Sequence, residues 1–293
     1  LVTGASGFVG GHLIKRLLDD EHEIHVLARP STDLDIFGRD LDRIASHVFR
    51  GTTENMIDLV ETARPDAVVH LASLFLGEHK AENVDDLIAS NVLLCTQLSE
   101  AMVVNDVESL INVGTSWQHY EDGDYNPVNL YAATKQAFRS ILRYYVEVSN
   151  LKVINLELFD TFGPYDQRGK IFSLLERLTT TGDSLSMSPG DQQINPVYID
   201  DVSEAFVVAL HRLQTGAVQN EETYSVCSDN PVNLRGLVEA YETVTGIPLN
   251  IEWGGRPYRN REVMLPWARG EMLPGWKTEV SLQDGIKRIV GPN

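Results

Sequence analysis

Tyr131 and Lys135 stand four residues apart in Asn126-Pro-Val-Asn-Leu-Tyr-Ala-Ala-Thr-Lys-Gln. The run that follows carries apolar residues at Phe138, Ile141, Leu142 and Tyr145, and Pro127 stands where a helix could start. On a helix a spacing of four is about one turn, so the phenol and the ammonium share a face. An ammonium beside a phenol favours the phenolate and is expected to draw its pKa down from about 10. The pair would then give and take a proton near neutral pH. Ordinary helical tyrosines and solvated lysines also occur at this spacing, so the reading rests on what the rest of the chain brings to them.

The first such element is Leu1-Val-Thr-Gly-Ala-Ser-Gly-Phe-Val-Gly10, where an apolar strand end runs into Gly4, Gly7 and Gly10. An amphipathic pattern follows at once, with Leu13, Ile14, Leu17 and Leu18 on one face. Glycines so spaced permit a tight turn, close approach of backbone to a pyrophosphate, and close packing of helix on strand. Gly4, Ser6, Gly7, Phe8, Val9 and Gly10 are therefore the expected cofactor-binding turn. Glu23-Ile-His-Val-Leu-Ala-Arg-Pro reads as the second strand. An acidic residue at its end would bond a ribose 2′-hydroxyl, but Ala28-Arg29 occupies that place. A guanidinium there suits a 2′-phosphate, so the expected cofactor is NADP(H), with NAD(H) the remaining option.

A third strand is expected at His47-Val-Phe-Arg, with Thr52 and Thr53 placed for a ribose or adenine contact. Ala67-Val-Val-His-Leu-Ala-Ser73 is a near-continuous apolar run, as in a strand buried on both faces. His70 within it reads as a core histidine with satisfied hydrogen bonds, and Leu71 and Ala72 are expected to border the cofactor. A helix pattern covers about Val84 to Val104, including Asn91. The buried strand Ser109-Leu-Ile-Asn-Val-Gly then ends in Thr115-Ser116-Trp117. This alternation predicts an α/β, doubly wound parallel sheet, whose ligands lie at the carboxyl ends of the strands. Gly4 to Gly10, Arg29, Ala72, Ser116 and Tyr131 all fall at that edge.

After the Tyr131 helix, a sixth strand is expected at Leu151–Phe159, then a loop at Asp160–Pro164 and a short helix at Ile171–Leu178. A turn-rich link spans Gly182–Gly190. Pro196–Asp201 reads as a strand leading into a helix at Val202–Leu213, and Tyr224-Ser-Val-Cys follows. A helix at Asn233–Val244, a strand at Leu249–Trp253 and a final helix at Leu282–Val290 complete the pattern. Residues 1 to about 160 with about 194 to 228 should form a nucleotide-binding domain. Residues 161 to 193 with 229 to 293 should form a small substrate lobe. The acidic run Glu121-Asp-Gly-Asp124 is expected to be solvated.

Composition narrows the classes. A chain of 293 residues can bury a large core. Its net charge of −18 argues against nucleic acid or an anionic membrane as partner, though local arginines can still hold an anionic substrate. No apolar run approaches 18 residues, so no membrane span is expected. No signal peptide pattern is visible, and the opening without Met inside a strand pattern leads us to expect residues before Leu1. Cys95 and Cys227 lie in apolar segments and form no metal-ligand spacing, so free thiols in a cytoplasmic protein are expected.

Over essentially its whole length the chain resembles the extended short-chain dehydrogenase/reductases of the nucleotide-sugar epimerase, dehydratase and reductase group. The residues that carry this are Thr3-Gly-Ala-Ser-Gly-Phe-Val-Gly, Asp66-Ala-Val-Val-His-Leu-Ala, the Ser116 strand end, Tyr131-x-x-x-Lys135, Phe162-Gly-Pro and Val197-Tyr-Ile-Asp-Asp. The resemblance implies a Rossmann-like fold and a catalytic triad of Ser116, Tyr131 and Lys135, with Thr115 the neighbour that would serve if the correspondence shifts by one. Family dehydratases carry an Asp-Glu pair after the triad Ser/Thr; here Trp117-Gln118 stand there, and neither is the acid or base of an elimination. The 4-epimerases usually hold NAD and keep the acidic residue that Arg29 replaces. The segments around Tyr131 and Leu158-Phe-Asp-Thr-Phe-Gly-Pro are similar to bacterial reductases of nucleotide-linked 4-keto-6-deoxyhexoses, of the CDP-abequose and CDP-paratose synthase type.

The resemblance thus implies that a sugar ketone takes a hydride from NADPH while Tyr131 protonates the alkoxide. Ser116 would donate to the same oxygen, and Lys135 would bond the nicotinamide ribose. Trp117, and Asp160 in place of the family's usual Asn, are the expected sugar contacts. Arg256, Arg259 and Arg261 are candidates for the diphosphate, Arg259 by similarity. A homodimer through the helices near 84–104 and 128–149 is also implied. A 4-epimerase is the alternative within the family. A non-catalytic dinucleotide-binding sensor is the rival from another class, weakened because such proteins usually lose the Tyr or the Lys.

Overall fold

A computed structural model describes residues 1–291; residues 292 and 293, at the end of the expected lobe, lie outside the described residues. Seven parallel strands build the central sheet. In chain order they are β1 (Val2–Thr3), β2 (Ile24–Ala28), β3 (Ile44–Val48), β4 (Val68–His70), β5 (Ser109–Thr115), β6 (Lys152–Leu158) and β11 (Glu221–Val226). Their order across the sheet is β11-β6-β5-β4-β1-β2-β3, so the chain reverses direction beside β1. That reversal opens a crevice above the β1 and β4 ends, the place where open α/β sheets bind ligands.

The strands are apolar because both faces are covered. Helix α1 (Phe8–Asp19) turns Leu13, Ile14, Leu17 and Leu18 inward, and packs beside α7 (Ile199–Gln214). On the other face lie α2 (Thr53–Ala63), the α3–α4 stretch (Val84–Ile88 and Leu94–Val104) and α5 (Leu130–Val148). One turn of π-helix, Ala89–Leu93, joins α3 to α4. This places Asn91, fully buried, where its side chain pairs with both backbone groups of Leu74 (2.7 and 3.0 Å) and with Thr134 Oγ1 (3.0 Å). Such π-turns are frequent at functional sites.

Several boundaries differ from those expected. β3 spans Ile44–Val48 and not His47–Arg50, because the Arg50 backbone N–H is taken by Asn55 Oδ1. Thr52 caps α2 by accepting from Asn55 N, and Thr53 Oγ1 accepts from Gln97. Helix α5 starts at Leu130, later than Pro127, because Asn129 Oδ1 caps the Ala132 N–H at 2.9 Å. The expected loop after β6 contains a short strand β7 (Asp160–Phe162), paired in parallel with β10 (Pro196–Tyr198). The expected link holds β8 (Ser184–Met187), paired with β13 (Asn250–Trp253).

Between these lie α6 (Ile171–Thr181), β9 (Gln193–Ile194), β12 (Val232–Asn233), α8 (Leu234–Thr245) and α9 (Leu282–Val290). The C-terminal elements share the sheet's core: Phe172, Leu237, Tyr241, Leu273, Trp276 and Ile286 belong to the same apolar cluster as Val2, Leu13 and Val113. Among the described residues, Ala81–Val104 is long and apolar enough to cross a membrane by length and composition, which the sequence reading did not anticipate. Its buried side chains Cys95, Leu98 and Met102 pack in one apolar cluster with residues of the sheet, α2 and α5.

Candidate active site

The turn after β1 shows why glycine occupies its positions. Gly4 has φ +70°, and a Cβ there would meet Ala72 N at 2.6 Å. A Cβ on Gly10 would run into the carbonyl oxygens of Gly4 and Ala5. The turn is thereby pressed against the β4 end, where Thr3 Oγ1 accepts from Ala72 N at 3.1 Å. The N-terminus of α1 points its free N–H groups into the crevice, as an anion site requires.

Gly4, Gly7, Phe8, Val9, Gly10 and Leu71 line one side of an inner cavity of about 210 Å³. Ser116, Trp117, Tyr131 and Asp160 line the other. The cavity continues, through shared walls at Phe75, Ser116, Trp117, Asp160, Arg168 and Lys170, into a cleft of about 670 Å³. Arg256 and Arg259 stand on the far wall of that cleft. Gly4, residues 7–10, 116, 131, 160 and 256–259, remote in sequence, therefore face one continuous space. Ser6, Ala72, Arg29 and Lys135 do not line it: Ser6 is exposed, Ala72 backs Gly4, Arg29 follows the end of β2, and Lys135 is buried. The Arg29 guanidinium forms no ion pair or side-chain hydrogen bond among the described residues.

Tyr131 is 9% exposed, and burial pushes its phenol up to about 12, against the lowering effects of a hydrogen bond from Ser73 and the charge of Arg168. The expected depression by Lys135 is not what this structure contains. Lys135 is itself fully enclosed; burial lowers its ammonium, and the nearby Cys95 thiol opposes that only in part. Desolvation disfavours both charged forms, and neither group figures among the causes of the other's shift. His70 is the expected core histidine: fully buried, bonded to Thr3 Oγ1 at 2.8 Å and to Cys95 Sγ at 2.9 Å, and pushed down to about 3 by burial.

Gln118 and Trp117 have structural work of their own. Gln118, 1% exposed, accepts from Thr115 N at 3.0 Å and donates to Gln136 at 2.9 Å. Thr115 Oγ1 accepts from Trp117 N, while Ser116 faces the cavity. Asp160 reaches the cavity and also accepts from Asn195 N at 3.0 Å, tying β7 to the β10 strand.

Of the three arginines, Arg259 lies over the Trp117 ring at 5.7 Å and is forked onto Glu262 (3.1 and 2.8 Å). Arg256 lines the cleft without an ion pair among the described residues. Arg261 is a correction: it bonds Asn126 Oδ1 and lies over Tyr120, turned away from the cleft. The acidic run is exposed at Glu121, Asp122 and Asp124, as expected, and at the surface it also pairs with Arg269, while Asp122 accepts from Ala268 N.

Ser73, Phe75, Arg168 and Lys170 went unnoticed in the sequence. Arg168 lies over the Phe8 ring at 4.2 Å and is forked onto Asp166. Lys170 faces the Phe75 ring at 5.1 Å, forms no ion pair among the described residues, and burial lowers its ammonium. The one signal was two cations in Arg168-Gly-Lys170, beside the arginine-rich stretch, in a chain this acidic.

Comparisons with known proteins agree with this geometry. The model of the NAD dependent epimerase/dehydratase family matches residues 1–227. The chain is 28% identical to a CDP-abequose synthase of Yersinia pseudotuberculosis, over 91% of this chain and 90% of that one. It is 25% identical to a UDP-glucose 4-epimerase of Mycolicibacterium smegmatis, over 99% and 96%. The crystal structure of a Thermus thermophilus UDP-glucose 4-epimerase with NAD superposes with a TM-score of 0.83 at 22% identity, covering 98% of this chain and 96% of that one, which shows the shared Rossmann fold. A match over so much of the chain settles its membership: this protein belongs to the NAD dependent epimerase/dehydratase family.

Proposed function

We propose that this protein reduces the 4-keto group of a nucleoside-diphosphate 4-keto-deoxyhexose with NADPH. The observation that carries the reading is the single cavity that holds Gly4, Gly7 and Gly10 against Ser116 and Tyr131. Gly4, Gly7 and Gly10 with the α1 N-terminus would hold the pyrophosphate of a nicotinamide dinucleotide, which would supply the hydride in the cavity that Ser116 and Tyr131 line. Tyr131, kept protonated by its burial, gives its proton to the forming alkoxide. Ser116 donates to the same oxygen, and Lys135 holds the nicotinamide ribose. Lys170, Arg168, Arg256 and Arg259 ring the outer cleft and receive the diphosphate.

Two features favour a reductase. Elimination lacks its acid and base, because Trp117 is an indole and the Gln118 amide is spent on Thr115 and Gln136. Arg29, unpartnered at the end of β2, suits a 2′-phosphate. The 28% identity to a CDP-abequose synthase supports a CDP-linked substrate. A 4-epimerase is the second reading, supported by the resemblance to UDP-glucose 4-epimerases. Assay of CDP-, GDP- and dTDP-linked 4-keto sugars with NADPH, with products identified by NMR, separates them. One NADPH consumed per ketone is expected; conversion of a UDP-hexose to its 4-epimer with no NADPH consumed would promote the epimerase.

The chain is proposed to work as a dimer with a two-lobed division at about residues 160, 194 and 228. Ile88, Leu93 and Val104 on the α3–α4 stretch, with Tyr144 and Val148 on α5, are large apolar side chains left 44 to 63% exposed. Such a patch marks a surface meant to be covered.

A further inference from the structure

Residues 256–269 touch two things at once. Arg256 and Arg259 face the cleft, whereas Arg261, Trp267 and Arg269 grip the loop that follows Ser116. The grip is extensive. Trp267 stacks on His119 with centroids 3.8 Å apart and planes at 12°. Arg261 covers Tyr120 at 4.3 Å and bonds Asn126. Arg269 pairs with Asp122 (3.3 Å) and Asp124 (2.9 Å).

The gripped loop is short and stiff. Ser116 O accepts from His119 N at 3.1 Å, and the backbone of 118 and 120 is bonded to Asn126 on both sides at 2.8 Å. His119, 5% exposed, anchors the loop to the sheet: Nδ1 donates to Gly123 O at 3.0 Å, and Nε2 lies 3.0 Å from Glu157 Oε2 on β6. Because Nδ1 is committed as a donor to a carbonyl, a proton must lie between Nε2 and the Glu157 carboxyl, whichever atom owns it; two bare lone pairs would repel. Arg139 of α5 holds the other Glu157 oxygen at 3.1 Å. The groups facing His119 are thus Glu157 with Arg139 behind it, and Trp267. Arg261 and Arg269 with Asp122 and Asp124 flank them. Beyond the ring, Glu121 and Asp122 are held at φ 53° and 59°, a left-handed conformation that non-glycine residues keep only when their surroundings enforce it.

From this we infer that His119 and Trp267 are positioning residues: they couple occupation of the Arg256–Arg259 wall to the placement of Ser116. The inference rests on the reductase reading for the role of Ser116. The nucleotide end of the substrate, bound far from the ketone, would then contribute to turnover and not only to affinity, since remote binding energy can be used to orient reacting groups. A substrate that settles residues 256–259 tightens 261–269 on the loop, and three residues of rigid turn carry this from His119 to Ser116.

Two measurements on Trp267→Ala and on the milder Arg269→Gln test the coupling. The first is amide hydrogen exchange of the free protein, which needs no substrate. Loss of protection at His119, Tyr120 and Asn126, with β4 and β6 amides unchanged, is expected; unchanged protection in both variants overturns the coupling. The second is turnover of the ketone panel. A fall in kcat of about 10²-fold is expected for Trp267→Ala, with KM within about threefold of wild type and recovery in Trp267→Phe, which keeps the stack. A rise in KM alone, or no recovery with Phe, overturns it. Should wild type reduce none of the panel, the reductase reading fails while the exchange experiment still decides the coupling.

Discussion

The Phe75 ring meets the Tyr131 ring edge-on, with centroids 5.0 Å apart and planes at 82°. Together with Trp117, 5.8 Å from Phe75, it shuts water away from the phenol on which the proposed chemistry turns. Phe75→Ala should therefore bring the Tyr131 pKa down from about 12 toward its ordinary value. Difference ultraviolet titration against Tyr131→Phe reads this directly, and an unchanged midpoint would show that burial is not the cause.

Stability at alkaline pH follows from the same shift. The folded phenol keeps its proton to about 12, whereas the unfolded one loses it near 10. The native state then binds the extra proton, so stability falls as pH rises from 10 to 12 and is undisturbed below. Tyr131→Phe should remove about 2–3 kcal/mol of that alkaline loss. Denaturant melts of both proteins at pH 9 and pH 11.5 check it; a parallel decline would refute the assignment.

In catalysis, Tyr131→Phe should keep cofactor affinity and lose about 10²–10⁴-fold in kcat, the usual worth of a general acid. Lys135→Ala should lose activity and cofactor affinity together. Steady-state rates with fluorescence titration of NADPH distinguish the two patterns, and a Phe variant as active as wild type would end the role given to Tyr131.

Arg29→Ala should erase most of a preference for NADPH over NADH. One charge-assisted phosphate contact is worth roughly 1.5–3 kcal/mol, or about 10- to 150-fold in affinity. Equal Kd values of the two cofactors for the unaltered protein would remove the case for NADP(H).

Leu93→Glu or Val148→Arg, each on the exposed apolar patch, should convert a dimer to a monomer with little loss of folding, because neither side chain is buried in the single chain. Sedimentation at micromolar concentration gives the mass. A wild-type mass near that of one chain would dismiss the dimer.

Much of this architecture is legible locally. The Gly4–Gly10 spacing, the apolar runs of Val68–His70 and Ser109–Thr115, and the Tyr131–Lys135 interval each follow from short-range geometry, and their alternation dictates a parallel sheet with its crevice at the strand ends. His70 as a core residue was readable because a lone histidine in a strand buried on both faces has nowhere else to go. What the tertiary structure alone decided concerns groups brought together across long separations. Burial raises the Tyr131 phenol, the opposite of what the Tyr–Lys spacing suggested, while the distant Ser73 and Arg168 work against that rise and Phe75 packs on the ring. Arg261 left the cleft for Asn126, and the acidic run found Arg269, partners 135 and more residues away. Helical and strand periods report on neighbours within a turn or two; desolvation and charge pairing are summed over whatever the fold packs nearby, and no local spacing encodes that sum.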